Sequence, residues 1–199
     1  MVLIKTMNFT QNWSKALKKS LNILYPIKPT ITTLCAEIGC FEGRGTLLIL
    51  DKLCLNDNSK IYCIDHWRDE YVYNKSCLNF YDDKFKGQFD RFLHNTHKYT
   101  DKIIMLRGLS DDMWDKIQDK DVMLDFIYID GDHSPESIYK DGVNAFKRAK
   151  NGGIILFNNY TWSVKQLKSS DGIEQFLSDF KPHLEILFKK FQVAIKVFK

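Results

Sequence analysis

The sequence has no long apolar run, no internal repeat and no low-complexity segment. No stretch approaches the roughly 20 apolar residues that a membrane-spanning helix needs. The first residues, Met1-Val-Leu-Ile-Lys-Thr, form too short an apolar stretch for a signal peptide. We therefore expect a chain that contacts no membrane and remains in the cytoplasm.

Cysteines are few, and their spacing is irregular. They number five, include no Cys-x-x-Cys pair, and stand at Cys35, Cys40, Cys54, Cys63 and Cys77. Neither a disulfide framework nor a cysteine zinc site is therefore indicated. This usage suits a reducing cytosol.

The sequence also lacks an excess of charge of either sign. The 29 Lys and Arg against 25 Asp and Glu leave a formal charge of only +4, and the basic residues are scattered. This balance gives no support to a nucleic-acid partner. With 44% hydrophobic residues, the 199-residue chain has enough apolar surface for a core of its own. We expect a single domain over 1–199.

From Leu34 onward, short apolar segments alternate with longer amphipathic ones. This alternation predicts an α/β fold in which a mostly parallel sheet is covered by helices on both faces. The strands are nearly all apolar, as expected of strands buried on both faces, and are predicted at Leu34–Gly39, Lys60–Asp65, Lys102–Arg107, Asp125–Asp130 and Gly153–Asn158. The helices are predicted at Gly45–Leu55, Asp83–Lys98, Ser110–Ile117, Ser134–Lys150 and Asp171–Phe180.

The flanking segments add further elements. Residues 1–30 form an N-terminal helical segment, with an amphipathic helix over Thr10–Tyr25. Two apolar-rich runs, His183–Lys189 and Phe191–Phe198, predict a terminal antiparallel hairpin over 183–198. Lys150-Asn-Gly-Gly is a helix-stop signal followed by a turn. The irregular stretch His66–Asp82 is long enough to act as a lid over the ligand edge of the sheet.

A glycine-rich turn follows the first strand and opens a helix. Glycine lets backbone N–H groups approach a ligand closely. A dinucleotide fingerprint would require glycine where Phe41 and Arg44 stand, so a binding site for NAD fails on spacing. Glu37 in this turn would repel a diphosphate and attract an ammonium group. The turn therefore favours a cationic or zwitterionic ligand.

The next two strand ends indicate a nucleoside. Asp65 lies 26 residues after Gly39 (65 − 39), near the distance at which an acid binds a pair of ribose hydroxyls. After the third strand, Arg107-Gly108-Leu109-Ser110-Asp111 is a polar turn that enters a helix and suits contact with an adenine edge.

Four motifs thus stand in order at strand ends: Glu37-Ile-Gly-x-x-x-Gly-Arg-x-Thr46, Ile64-Asp65, Ile129-Asp-Gly-Asp-His133 and Gly152-Gly-Ile-Ile-x-x-x-x-Tyr160. Together they resemble the class I S-adenosylmethionine-dependent methyltransferases, in particular methyltransferase family 24, and are similar to macrolide-sugar and catechol-type O-methyltransferases. The resemblance runs from about Leu34 to Trp162. It implies a Rossmann-like, mostly parallel seven-stranded sheet with a C-terminal antiparallel hairpin. It also implies a cofactor-binding core over 34–162 and S-adenosylmethionine as the cofactor.

The resemblance assigns roles to residues at these motifs. Glu37 with two glycines would hold the methionine moiety, and Asp65 the ribose hydroxyls. The turn after the third strand would hold adenine, whose face His66 and Trp67 would flank. The cofactor-binding set it implies is Glu37, Gly39, Phe41, Gly43, Thr46, Asp65, His66, Trp67, Gly108, Leu109, Ser110 and Asp130.

Catalytic roles follow from the fourth motif. In the similar sugar O-methyltransferases, an Asp at this strand end binds a divalent metal, a His three residues later is the general base, and two acids at the next strand end complete the metal site. Asp130 and His133 have that spacing, so His133 is the expected base. Asn158 and Asn159 stand in place of the two acids, and a Mg²⁺ site of Asp130 with two amides would be weak. Either Asp132 compensates, or the enzyme works without a metal.

The function implied by the resemblance is methylation of a hydroxyl of a sugar, a glycan or a glycosylated small molecule, with that acceptor as the partner. A catechol-type enzyme acting on small phenols is one alternative, and it requires a working metal site. A non-catalytic S-adenosylmethionine-binding module and a Rossmann oxidoreductase are the others, the latter marked by binding of NADH. A homodimer through the first helix or the terminal hairpin also fits the sequence.

Overall fold

The computed structural model describes residues 7–68, 86–117 and 122–199. Its strands are Leu34–Ile38 (β1), Lys60–Asp65 (β2), Ile103–Arg107 (β3), Leu124–Ile129 (β4), Ala149–Phe157 (β5), Ser163–Val164 (β6), Leu167–Lys168 (β7), Leu184–Lys189 (β8) and Val193–Val197 (β9). Its α-helices are Lys15–Leu24 (α1), Arg44–Leu53 (α2), Gln88–Thr96 (α3), Ser110–Met113 (α4), Pro135–Arg148 (α5) and Ser169–Asp179 (α6). Short 3₁₀ turns follow at His97–Tyr99, Trp114–Lys116 and Lys181–His183.

Seven strands form one sheet in the order β3-β2-β1-β4-β5-β9-β8, and β6 pairs with β7 separately. The first five strands pair in parallel, whereas β9 is antiparallel to both β5 and β8. The predicted mostly parallel seven-stranded sheet with a C-terminal hairpin is therefore confirmed. None of the described helices is long and apolar enough to cross a membrane.

Both faces of the sheet are buried under helices, as the unbroken apolar strands predict. Along β4, Phe126 and Tyr128 pack on the side that holds α1, α2 and α3. The alternate residues, Ile127 and Ile129, pack on the side that holds α5 and α6. Because successive side chains of a strand point to opposite faces, one apolar strand serves two cores.

The strand order places a cleft at a defined edge. β1 lies between β2 and β4, so the chain leaves β1 in one direction across the sheet and later returns on its other side. Such a switch of direction opens a crevice at the carboxyl ends of the strands. The ends of β1, β2, β3, β4 and β5 are the positions where the sequence carries its polar motifs.

The first helix is shorter than predicted, beginning at Lys15 instead of Thr10. The backbone N–H of Thr10 donates to the Glu42 carboxylate at 2.8 Å, and that of Asn8 donates to the Asn95 side chain at 2.7 Å. These long-range hydrogen bonds hold the preceding residues along the domain surface. Tertiary contacts therefore override the helical pattern there.

Two other boundaries differ from the prediction. The helix-stop signal ends α5 at Arg148, but the glycines lie inside β5, where pairing shifts between Leu124 and Phe126 and Gly152 has φ +81°. The predicted turn is thus a bulge that keeps the strand paired. The hairpin strands are shorter than predicted because residues 190–192 form the turn. Most of the predicted lid over His66–Asp82 lies outside the described residues.

Candidate functional site

The turn after β1 is built from backbone conformations that favour glycine. Gly39 and Gly43 have φ +83° and +82°, and Phe41 between them has φ +49°. A Cβ atom on Gly39 would stand 2.8 Å from Gly131 Cα, so the turns after β1 and β4 touch. The turn then leads directly into α2, whose first turn offers backbone N–H groups to the cleft.

Glu37, near the end of β1, is a buried acid directly before this turn. Its side chain is 1% exposed and lines a cavity of about 60 Å³ together with Gly39, Phe41 and Asp130. The pKa of Glu37 is raised from 4.5 to about 8, mainly by burial and to a smaller extent by the carboxylates of Asp130 and Asp65, and this value includes the opposing effect of a hydrogen bond from Thr46. The described residues place no cation against this carboxyl group, which therefore suits an incoming ammonium group.

Asp65 lies at the end of the neighbouring strand and orders two loops. Its Oδ2 accepts the backbone N–H of Phe41 at 2.9 Å, and its Oδ1 accepts that of Trp67 at 2.7 Å. The carboxylate is 9% exposed, with the half-exposed His66 beside it. Since each oxygen can accept a second hydrogen bond, Asp65 is able to receive two further hydroxyl groups.

Two residues of the expected cofactor set do not present their side chains to the cleft. Trp67 is 1% exposed, donates its indole N–H to the Phe41 carbonyl at 2.8 Å and packs against Phe92. The Thr46 hydroxyl is buried and donates to Glu37. Expected direct contacts with the cofactor are therefore corrected to supporting roles, because both side chains are held beneath the turn.

The turn after β3 offers an apolar and a polar group. The Gly108 N–H donates to the Asp65 carbonyl at 3.0 Å, which ties this turn to the end of β2. Leu109 is 53% exposed although it is apolar. The next residue, Ser110, forms a hydrogen bond with Asp141 of α5, whose pKa is raised to about 7 mainly by burial, and this hydrogen bond opposes the rise. The exposed Leu109 side chain suits a flat aromatic ligand.

His133 and Asp130 come together after β4, as their spacing predicts. The imidazole Nε2 lies 3.8 Å from Asp130 Oδ1 and 2.9 Å from the Asn159 amide nitrogen. The ring also meets Trp162 edge-on, with centroids 4.9 Å apart. Asn159 has φ +55°, a left-handed conformation that asparagine tolerates. The Asn159 amide therefore occupies the Nε2 side of the ring, in a hydrogen bond whose direction depends on the imidazole tautomer.

The expected Mg²⁺ site of Asp130, Asn158 and Asn159 does not fit these positions. The Asn158 amide nitrogen donates to Asp130 Oδ1 at 2.7 Å, while its carbonyl oxygen accepts from Gln192 at 2.7 Å. The Asn159 amide is turned to His133. Asp132 does not compensate, since its carboxylate accepts the hydroxyls of Ser134 and Ser137 at 2.7 and 2.8 Å. Among the residues that the structure describes, one carboxylate faces the position, too few for a hard cation.

The N-terminal segment borders the same cleft, and the sequence pattern did not reveal this. Both Thr10 and Arg91 bind the buried carboxylate of Glu42, which lies inside the glycine turn. Trp13 stacks on Phe41 with centroids 5.6 Å apart and is 60% exposed. A large aromatic surface therefore stands at the mouth of the cleft. Buried Glu42 carried no motif, because its partners lie far away in the sequence.

Comparison with known protein families gives a match. The sequence profile of a family described as a methyltransferase domain matches residues 36–160, more than half of the chain. A search of curated proteins by sequence finds no match.

Solved structures share the fold at low sequence identity. A proposed O-methyltransferase from Klebsiella pneumoniae is 13% identical with a TM-score of 0.67, over 96% of this chain and 83% of that one. The O-methyltransferase TomG from Streptomyces achromogenes, involved in tomaymycin synthesis and solved with SAM, is 12% identical with a TM-score of 0.66, over 94% and 82%. An O-methyltransferase from Bacillus cereus, solved with SAH, is 18% identical with a TM-score of 0.63, over 96% and 84%.

Proposed function

The chain belongs to the methyltransferase-domain family, and from this membership we propose that it transfers a methyl group from S-adenosylmethionine to a hydroxyl oxygen. We propose a sugar, a glycan or a glycosylated small molecule as the acceptor. Structurally similar proteins described as O-methyltransferases support the reaction class. The observation that carries the proposal is the convergence of Glu37, Asp65 and Asp130 around one glycine turn, with His133 beside it.

The residues of the cleft fit the proposed cofactor. Glu37 is a buried acid to which no cation among the described residues is paired, and this suits the ammonium group of the methionine moiety. Asp65 can receive the two ribose hydroxyls while it keeps its backbone partners. Leu109 presents an exposed apolar side chain to the adenine ring. The three parts of the cofactor thus each have a complementary partner along the strand ends.

S-adenosylmethionine, when bound, would supply an electrophilic methyl group on a sulfur that keeps the electron pair of the carbon–sulfur bond. His133 would accept the hydroxyl proton at Nε2 once the hydroxyl has replaced the Asn159 amide at that nitrogen. Asp130, 3.8 Å from that nitrogen, stabilises the imidazolium that forms. The chain otherwise contributes by holding the two reactants in line.

Aromatic side chains flanking polar groups support the sugar acceptor. Trp13 stands at the mouth of the cleft, and Trp162 lies beside His133. Aromatic faces pack against the C–H faces of sugars, while Asn159 and Asp130 offer hydrogen bonds to hydroxyls. The alternative small-phenol acceptor has less support, because the catechol-type reaction requires a metal site and Asp130 is the one carboxylate at this position within 7–68, 86–117 and 122–199.

Binding of S-adenosylhomocysteine tests the cofactor. We expect calorimetric titration to give one saturable site, and NADH to give no heat of binding. Asp65→Ala should weaken the affinity by about tenfold to a hundredfold, because charged hydrogen bonds are each worth about 1.5–3 kcal/mol. Asp101→Ala removes the same charge from an exposed side chain and should leave affinity unchanged. NADH binding without S-adenosylhomocysteine binding would overturn the proposal in favour of an oxidoreductase.

Cofactor affinity should depend on pH through Glu37. Its pKa of about 8 in the ligand-free chain means that the carboxyl is mostly protonated at pH 7, whereas an ammonium ligand requires the ionised form. Binding then releases a proton, so the dissociation constant should fall by up to about tenfold per pH unit between about pH 6 and 8, and level off above. Glu37→Gln should weaken binding and abolish this slope. Glu185→Gln, at an exposed position, should preserve it; a flat profile in the unaltered chain would contradict the assignment.

A further inference from the structure

Asp130 is held by a network of uncharged hydrogen-bond donors. Asn158 donates to its Oδ1 at 2.7 Å, and the Tyr128 hydroxyl donates to its Oδ2 at 3.0 Å. Gln192, in the turn of the terminal hairpin, donates to Asn158 Oδ1 at 2.7 Å and lies 3.4 Å from the Tyr128 hydroxyl. Ser20 of α1 donates to Gln192 at 2.6 Å. Both oxygens of Asp130 therefore depend on Gln192 for their partners.

The charge of Asp130 fixes the direction of every bond in this network. A carboxylate only accepts, so Asn158 must turn its NH₂ toward Asp130 and its carbonyl toward Gln192. Gln192 must then present its NH₂ to Asn158, which leaves its own carbonyl for Ser20. The side chains of Gln192 and Ser20 are buried, and these polar groups are satisfied. A buried network with all partners in place is stable and oriented in one way.

This orientation opposes a cation beside Asp130. An amide NH₂ group carries partial positive charge, and Asn158 places it at hydrogen-bond distance from the oxygen that a cation would use. Turning the amide over would set its carbonyl against the Asp130 carboxylate and its NH₂ against that of Gln192. Neither arrangement provides the second anionic oxygen that Mg²⁺ or Mn²⁺ prefers.

We propose that Asn158 and Tyr128, positioned by Gln192, take the place of a divalent cation in orienting Asp130 toward His133, so that methyl transfer by this chain needs no bound metal. The inference rests on the proposed function for its catalytic meaning. Gln192 is a positioning residue, because it acts on Asp130 only through Asn158 and Tyr128.

A titration of the full chain with Mn²⁺ tests this proposal. Binding is measured as the decrease of the electron paramagnetic resonance signal of the free ion. We expect the unaltered chain to bind Mn²⁺ no more tightly than about 1 mM. Asn158→Asp supplies a second carboxylate and should improve the affinity by at least about tenfold. Asn151→Asp adds the same charge at an exposed position at the start of β5 and should bring no gain. Submillimolar binding to the unaltered chain that Asp130→Asn removes would overturn the proposal.

Gln192→Leu separates a positioning role from a merely structural one. Without Gln192, the Asn158 amide is free to turn its carbonyl toward a cation, so Mn²⁺ affinity should rise, though less than in Asn158→Asp. A structural role alone would lower the melting temperature and create no Mn²⁺ binding, which would contradict the role assigned to Gln192. The Mn²⁺ affinity of the unaltered chain tests whether Asp130 binds a cation, even where a variant fails to fold. The titration uses neither cofactor nor acceptor, so its outcome is distinct from that of the S-adenosylhomocysteine test.

Discussion

Replacing Gly39 by alanine is expected to lower the free energy of unfolding by about 2–5 kcal/mol, since a left-handed backbone costs a side-chain residue about 1–2 kcal/mol and overpacking about 1–3 kcal/mol. Gly39 has φ +83°, and its missing Cβ leaves the room in which the turn after β4 lies, with Gly131 Cα 2.8 Å from the Cβ position. Backbone atoms cannot rotate away as a side chain can, so the two turns must separate. Urea unfolding of the variant and the unaltered chain measures the difference.

Gly152→Ala is the matched control for this substitution. Gly152 has nearly the same backbone conformation, φ +81°, but the nearest atom to its Cβ position is the flexible Lys196 Cε at 3.8 Å. Only the backbone cost of about 1–2 kcal/mol should remain. Cofactor affinity should fall in Gly39→Ala and stay unchanged in Gly152→Ala. Equal losses of stability in the two variants would contradict the close packing of the turns after β1 and β4.

The sheet is predictable from the sequence because strands buried on both faces consist almost entirely of apolar residues. β2 has the predicted bounds, β1 ends one residue earlier than predicted, and β4 begins and ends one residue earlier, since each is a nearly all-apolar run closed by a polar or glycine residue. The acids and glycines that follow these runs also lie where predicted. Parallel strands end at one edge, so residues distant in sequence become neighbours there.

The sequence does not predict the role of side chains whose hydrogen-bond partners are distant in the chain. Gln192 follows no motif, and only the tight hairpin turn and the neighbouring β5 bring it to Asn158. The sequence pattern predicts that Thr10 belongs to an amphipathic helix, whereas in the structure its backbone N–H donates a hydrogen bond to Glu42. Trp67 follows a candidate ligand acid and yet faces the core. Orientation of a side chain toward a cleft or a core is a tertiary property, which local spacing does not encode.

The same distinction explains the metal site. From the sequence, two amides at the end of β5 are simply weaker ligands than two acids, which leaves metal binding possible. In the structure each amide already has a hydrogen-bond partner. Asn158 is bonded to both Asp130 and Gln192, and Asn159 is bonded to His133. The change from acid to amide therefore reverses the sign of the group that faces Asp130, from an anion to a hydrogen-bond donor.

His133→Ala should reduce the rate of methyl transfer by about 10²–10⁴, the range typical of a lost general base. The ring accepts the hydroxyl proton at Nε2, and neither Asn159 nor Trp162 beside it can replace that function. Affinity for S-adenosylhomocysteine should stay within a few-fold, because Glu37 and Asp65 are unaltered. The measurement is S-adenosylhomocysteine formation over a panel of monosaccharides, glycosides and catechols.

A control variant and a chelation experiment show whether a change in this rate is due to the loss of the base. His97→Ala removes an exposed imidazole that contacts the carbonyl and the ring of His94, and its rate should match that of the unaltered chain. Addition of EDTA should leave the rate of the unaltered chain unchanged, since Asn158 and Tyr128 rather than a cation orient Asp130. A His133→Ala rate within threefold of the unaltered rate would reject His133 as the base. A rate abolished by EDTA and restored by Mg²⁺ would instead assign the orientation of the acceptor to a metal, and the hydrogen-bond network around Asp130 would then have to open in the active state.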